Sequence, residues 1–215
     1  LTILAIDAAG PRAGLVLLDT AGEVLAKKFV AGRPGLIETL PVLLRDALAE
    51  AGAAPDLVAV TIGPGSFTGL RTAIALAQGF AAASSVPLVG VTVDEAFAEA
   101  FPGLQRPLWV AIRARKGRIF LIRDAVAAGF ADEDVPRIRG PVALAGDAAN
   151  EVAARLAAAG ADVMLTNARM IDPVWVARAA LKRQNAGLPA RAVLPVYVDP
   201  PEAKLPAGGL RPAPV

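Results

Sequence analysis

The sequence predicts an α/β protein of two lobes, and three observations predict it. Over about the first hundred residues the hydrophobic patterning gives three short strands, then helix, strand, helix, strand. The run Leu57 to Ile62 is apolar at almost every position, the pattern of a strand covered on both faces. After Gly103 to Pro107, a stretch of turn residues, a fresh pair of strands begins. The expected organisation is a first lobe over 1–103, a second over 104–199, and an extended or disordered tail over 200–215, where proline and glycine recur. A chain of 215 residues is long enough to give such lobes a core.

Thr2 to Asp7 is a short apolar strand that ends in an acid. Ala8-Ala9-Gly10-Pro11-Arg12 turns the chain, and Gly14 to Leu18 returns as a second strand. Asp19-Thr20-Ala21-Gly22 is the next turn, before a third strand from Glu23 to Val30. Two successive hairpins make an antiparallel meander. Gly32-Arg33-Pro34-Gly35 breaks the pattern, and Leu36 to Ala51 then reads as an amphipathic helix. Leu36, Leu40, Leu43, Ala47 and Ala51 share one face, with Glu38, Arg45, Asp46 and Glu50 outside it. Pro41 removes one backbone bond, so it bends this helix or marks its true start.

The first lobe is organised around Val60-Thr61-Ile62-Gly63-Pro64-Gly65-Ser66-Phe67-Thr68-Gly69-Leu70-Arg71. Gly63 and Gly65 can take positive φ, Pro64 fixes one turn angle, and Ser66 is suited to cap a helix running from Phe67 to about Ala83. The first amides of that helix, at Ser66, Thr68 and Gly69, then border a glycine-lined notch. Such a notch suits an anion or a partner's backbone, and equally a purely structural corner. It is no Walker A loop, because no Lys-Ser/Thr follows the glycines. The helix carries small residues at intervals of four, Gly69, Ala73, Ala77 and Ala81, while Phe67, Leu70, Ile74, Leu76 and Phe80 cover much of the rest. A helix apolar nearly all round is buried on more than one side, either within the lobe or against another subunit.

Pro87 to Val91 is a fifth strand, and Thr92-Val93-Asp94-Glu95 is a capping box opening a short helix. The second lobe begins with a hairpin, Leu108 to Ile112 and Arg118 to Ile122, whose tip Arg113-Ala114-Arg115-Lys116-Gly117 is cationic. Arg115, Lys116 and Arg118 are either solvated surface or contacts to nucleic-acid phosphates. Asp124 to Arg139 reads as irregular, and Pro141 to Ala145 as a strand. Asp147 is the expected cap of a helix through Ala159, Val163 to Leu165 is a further strand, and Asp172-Pro173 starts the last helix.

Composition excludes several function classes. The chain has no cysteine and no histidine, so disulfides, thiolate chemistry, the usual zinc and non-haem iron sites and a His-dependent triad are all out of reach. Carboxylate-held Mg²⁺ is the metal site still open. A net charge of +2 and 5% aromatics are poor equipment for gripping nucleic acid unaided. No window approaches the roughly 18 apolar residues of a membrane span, and the opening residues lack a signal-peptide pattern, so a cytoplasmic protein without membrane contact is expected.

Ile62-Gly63-Pro64-Gly65-Ser66-Phe67-Thr68-Gly69-Leu70-Arg71 resembles, over ten consecutive residues, the signature of the TsaB (YeaZ) family. Leu194 to Lys204 resembles that family's closing segment, Pro-x-Tyr-Leu followed by a polar tail with Ala-Lys. The resemblance implies an actin-like ATPase fold (ASKHA, ribonuclease H-like), whose βββαβαβ unit matches the order of the first lobe. It also implies a non-catalytic subunit of the machinery that forms N6-threonylcarbamoyladenosine beside the anticodon of tRNAs reading codons that begin with A. The implied partners are the transferase TsaD and the ATPase TsaE, with tRNA reached through the complex and a homodimer when TsaD is absent. No cofactor of its own is implied, although ATP or ADP can sit at the complex interface.

The family places a two-helix contact on the first lobe, so the expected docking residues are Leu36, Leu40, Leu43, Gly69, Leu70, Ala73, Ala77 and Phe80. Asp7, a strand-one aspartate beside a small-residue turn, resembles the acid that lies near the nucleotide's metal in the actin-like ATPases and sugar kinases. With Gly63, Gly65, Ser66, Thr68 and Gly69 it forms the nucleotide or anion candidate set. The competing class is therefore a small-molecule kinase of that superfamily, while the "glycoprotease" label of the broader family loses its metal ligands with histidine. Two departures stand out: Gly35-Leu36-Ile37 replaces a segment where relatives often have a histidine, and Arg113 stands where relatives carry an aspartate.

Overall fold

The computed structural model describes residues 1–31, 36–114, 117–131, 134–138, 140–189 and 191–199, the side chains of Leu36 and Ile37 excepted. The tail expected over 200–215 therefore lies outside the described residues. The first sheet is built from β1 (Thr2–Asp7), β2 (Arg12–Asp19), β3 (Val24–Ala31), β4 (Leu57–Gly63) and β5 (Leu88–Thr92), in the order β3-β2-β1-β4-β5. β1, β2 and β3 pair antiparallel, whereas β1, β4 and β5 run parallel. The parallel half needs crossovers. These are supplied by α1 (Leu36–Ala51) and α2 (Phe67–Ser84), and α3 (Val93–Ala98) leads out of β5.

The second sheet repeats this topology. β6 (Leu108–Arg113), β7 (Arg118–Arg123), β8 (Val126–Ala131), β9 (Pro141–Ala145) and β10 (Asp162–Leu165) are ordered β10-β9-β6-β7-β8. Again three antiparallel strands adjoin a parallel pair. α4 (Ala149–Ala158) crosses from β9 to β10, and α5 (Pro173–Asn185) follows β10. Nothing among the described residues takes the place of α1 in this half, so the repetition is incomplete.

Three apolar clusters stack the molecule into layers. Leu4, Ile6, Leu15, Leu17, Val58 and Val60 face α1 and α2 through Leu40, Leu44, Ala73 and Ala77. The opposite face of the same sheet, with Ile3, Ala5, Val16 and Leu18, packs on α3 and α5, which also meet Val110, Ile112 and Ile122 of the second sheet. The far side of the second sheet is closed by α4 through Val152 and Leu156. Each such Leu, Ile or Val side chain gains on the order of 1.5–3 kcal/mol from burial, and each alanine less. β4 is buried at all seven positions, because helices cover both of its faces.

Two local expectations need correction. The stretch Asp124 to Arg139 is not wholly irregular, since β8 pairs with β7 along its whole length. Asp147 does not cap a helix: α4 starts later, after Ala148, and the Asp147 carboxylate accepts the Arg113 N–H at 2.7 Å instead. Other signals hold. The Asp172 side chain accepts the Val174 N–H at the start of α5, and Thr92 with Glu95 forms the capping box of α3.

Candidate functional site

The corner between β4 and α2 is assembled from three chain segments. β4 brings Thr61 to β1, where its hydroxyl donates to the Asp7 carboxylate at 2.6 Å. The Ala9 N–H donates to the same Asp7 Oδ1 at 3.1 Å. Asp7 is 3% exposed, and burial pushes its carboxyl up to about 6, against the pull of the Thr61 and Ala9 hydrogen bonds and the Arg12 charge. At the turn, Gly63 has φ +111° and is joined to Pro64 by a cis peptide. Ser66 caps α2, its Oγ accepting the Gly69 N–H at 3.3 Å.

At the glycine-lined notch, Gly65 and Gly69 lie against the backbone of the β1–β2 turn. A Cβ at Gly65 would lie 2.4 Å from the Ala9 carbonyl oxygen, and one at Gly69 2.2 Å from that of Ala8. The Ser66 N–H donates to Ala9 O at 2.7 Å. Backbone carbonyls thus meet the positive end of α2, where a phosphate would otherwise bind. Thr68 is exposed on the outer side of the turn.

Ala9, Gly10 and Asp147 line the cleft between the two sheets' turns. The cavity there, bordered by Gly10, Phe97, Asp147 and Arg169, measures about 20 Å³. Small-molecule sites usually offer at least about 300 Å³. Burial raises the Asp147 carboxyl, against the Arg113 N–H and the Arg113 charge. The Arg113 guanidinium turns away to pair with Glu151 on α4. Among the described residues no group of three or more acids is placed to hold a metal ion.

The docking residues expected on the two helices mostly point inward. Leu40, Ala73 and Ala77 are fully buried against the first sheet, and Gly69 and Leu70 are buried beside them. The small-residue strip therefore serves close packing of α2 within the lobe rather than approach by a partner. Leu43 and Phe80 are half-buried and pack on the same core, and the Leu36 side chain lies outside the described residues. The positions turned outward are Glu38, Pro41, Val42, Arg45, Asp46, Ala49 and Glu50 on α1, and on α2 they include Phe67, Arg71, Ala75, Gln78, Gly79 and Ala82. An apolar groove of about 460 Å³ lies where the two helices end, between Leu48, Pro55, Phe80 and Val86.

Residues missed from sequence include a strap over 191–199 that recrosses the molecule without regular structure. Arg191 pairs with Glu95 on α3, and Val193 O accepts from Gln78 on α2 at 3.1 Å. The Val196 N–H donates to Ile62 O at 2.7 Å, and Asp199 pairs with Arg118 of β7 at 2.7 Å. Tyr197 packs on Phe67, and its hydroxyl accepts from Arg71 Nε at 3.0 Å. Of the tRNA candidates, Arg118 is thus already engaged, while Arg115 and Lys116 lie outside the described residues.

A family model described as TsaD, tRNA N6-adenosine threonylcarbamoyltransferase, matches residues 34–166. The tRNA threonylcarbamoyladenosine biosynthesis protein TsaB of Escherichia coli is 35% identical over 124 residues, 55% of this chain and 52% of that protein. A tRNA N6-adenosine threonylcarbamoyltransferase of Ruegeria pomeroyi is 46% identical over 57 residues, 25% of this chain and 16% of that protein. The chain thus spans about half the length of the first relative and a smaller part of the second. A crystal structure of a Pseudomonas aeruginosa protein with similarity to peptidase YeaZ superposes with a TM-score of 0.74 at 24% identity, covering 92% of this chain and 99% of that one. The shared fold is the two-sheet α/β one, with its doubled strand order. The match over 34–166 takes in α1, the β4–α2 corner and all five strands of the second sheet, and on that ground the chain belongs to the family this model describes.

Proposed function

We propose that this chain is a non-catalytic subunit of the complex that forms N6-threonylcarbamoyladenosine beside the anticodon of tRNAs reading codons that begin with A, and that it acts by docking TsaD. The observation that carries this reading is the outer face of α1 and α2. It is a continuous layer on one side of the first sheet, and among the described residues the second sheet has no counterpart to α1. Its outward residues are partly apolar, with Val42 43% and Phe67 55% exposed, and the charge is concentrated on α1, at Glu38, Arg45, Asp46 and Glu50, while Arg71 is the one charged residue of α2. Exposed apolar surface of this kind marks a protein contact. The chemistry in the site points the same way, since the β4–α2 notch is filled by the chain's own backbone.

In this reading TsaE joins the assembly, ATP or ADP binds at the complex interface, and tRNA is reached through the complex with help from Arg115 and Lys116. When TsaD is absent, the same helix face closes a homodimer about a two-fold axis. The work is done in the cytoplasm, where tRNA is modified. The test is calorimetric titration of the full chain with a purified TsaD homologue. Ala75→Glu, on an exposed turn of α2, should abolish binding while leaving the melting temperature unchanged. ATP turnover by the purified chain alone would instead favour the small-molecule kinase alternative, to which a 20 Å³ cleft lends little support.

A further inference from the structure

Phe67, Arg71 and Tyr197 form a stack in which the guanidinium lies 4.1 Å from the Phe67 ring centre and 5.9 Å from that of Tyr197. Arg71 Nε donates to the Tyr197 hydroxyl, so the plane of the guanidinium is fixed on two sides. Among the described residues its two terminal nitrogens have no hydrogen-bond partner and no acid pairs with it. Tyr197 is 49% and Leu194 66% exposed, although both sit on a strap that is bonded at either end. α2 has no second charge, and strap residues 192–198 have none. Beside the stack, the exposed Ala75, Gly79 and Ala82 leave room for a close backbone. Gln78, bonded to Val193 O, holds the strap alongside this part of the helix.

We propose that the strap is a second component of the docking surface, and that Arg71, Tyr197 and Leu194 together seat a partner helix carrying one carboxylate among apolar side chains. The inference rests on the reading that α2 faces a protein partner. The charge argument selects the occupant. A lone, pre-oriented guanidinium in an apolar field matches a single acid, which it can grip through both terminal nitrogens. Aromatic rings flank the contact and exclude water from it, as in the energetic centre of stable interfaces. The strap also explains why sequence places the aromatic pair so far apart, at positions 67 and 197: the chain must return to α2 to complete the surface.

The experiment compares full-length variants in titration against a purified TsaD homologue, with melting temperatures measured alongside. Arg71→Glu should weaken binding at least about tenfold, and Tyr197→Ala and Leu194→Ala should each weaken it by roughly fivefold. Arg71→Lys should fall between wild type and Arg71→Glu, because an ammonium keeps the charge but loses the fork. Val42→Glu, on the outer face of α1, is the control for the docking reading itself. If Val42→Glu destroys binding while the three strap and Arg71 variants bind as wild type, the docking reading stands and the strap proposal falls. Tighter binding by Tyr197→Ala would also overturn it, by showing that the strap competes with the partner. Wild-type chain that fails to bind at all removes the docking reading and the strap proposal with it. Self-association that alone responds to these variants would assign the surface to a second copy and overturn the proposed occupant.

Discussion

Asp7 offers the sharpest quantitative test, because its carboxyl is buried while its known hydrogen bonds all fall on one oxygen. Thr61 Oγ1 and the Ala9 N–H both donate to Oδ1, at 2.6 and 3.1 Å. Asparagine keeps that acceptor and exchanges the other oxygen for an uncharged NH₂. With the folded carboxyl pushed from its ordinary 3.8 up to about 6, the folded state binds the proton more tightly than the unfolded chain. The sign follows from linkage: the stabilisation is present in full below about pH 4, falls as the pH rises, and is gone once the pH has passed about 6. At about 1.4 kcal/mol per unit of pKa, the gap amounts to about 3 kcal/mol. Asp7→Asn should therefore match wild type near pH 4 and exceed it at pH 8 by up to about 3 kcal/mol. For a chain of this size that is a rise in melting temperature of roughly 6–12 °C. Scanning calorimetry of both proteins from pH 4 to 8 supplies the comparison, and the difference between them cancels every other titrating group. An Asp7→Asn protein less stable than wild type at pH 8 would refute the reasoning. It would mean that the Arg12 charge outweighs burial and holds Asp7 ionised.

Three further outcomes follow from the same geometry. Ala77→Glu should abolish cooperative thermal unfolding, since it places an unpaired charge at a fully buried position between α2 and the first sheet; a folded variant would return that residue to the outer face. Gly65→Ala should cost on the order of 1–3 kcal/mol in chemical denaturation, because its Cβ must displace the Ala9 carbonyl, whereas Gly79→Ala meets nothing within 4 Å and should gain up to about 1 kcal/mol from helix propensity. Arg118→Ala should release Asp199 and raise protease sensitivity around residues 191–199, read by mass spectrometry of limited digests, with the rest of the chain protected.

What sequence could and could not reveal divides along physical lines. Local patterns carried the first sheet, the capping box at Thr92 and Glu95, and the Asp172-Pro173 helix start, because each is decided by neighbours along the chain. β8 was hidden because its turn carries no glycine. Asp124 and Ala125 both take positive φ, at 50° and 62°, a conformation usually signalled by Asn-Gly or Asp-Gly. Its sequence, Val-Ala-Ala-Gly-Phe-Ala, is also poor in β-branched residues. The small-residue strip of α2 was legible as a close-packing surface, but periodicity says that a face is covered without saying by what. The glycines at 65 and 69 were legible as lining a notch, with Gly65 read as suited to positive φ, which it does not take. That the approaching group is the Ala8–Ala9 backbone depends on pairing between β1 and β4, across more than fifty residues, which no local signal contains. The strap has no periodicity at all, and its partners, Glu95, Gln78, Ile62 and Arg118, are spread over both sheets.

The placement of α5 also sets an order on synthesis. It is the last described helix, yet it fills the layer between the sheets, and it is tied to β2 and β3 by Arg12 donating to Ile171 O across 159 positions and by Lys27 pairing with Asp172 across 145. While the chain is still emerging from the ribosome, the first sheet can bury its outer face against α1 and α2, but the inner face with Ile3, Ala5 and Val16 has no cover from α5. Contacts of such long range form late and slowly. The nascent protein consequently displays an apolar sheet face until residues 173–185 have emerged. That window is when a holding chaperone would matter most, and it closes as Val174, Val176 and Ala177 dock.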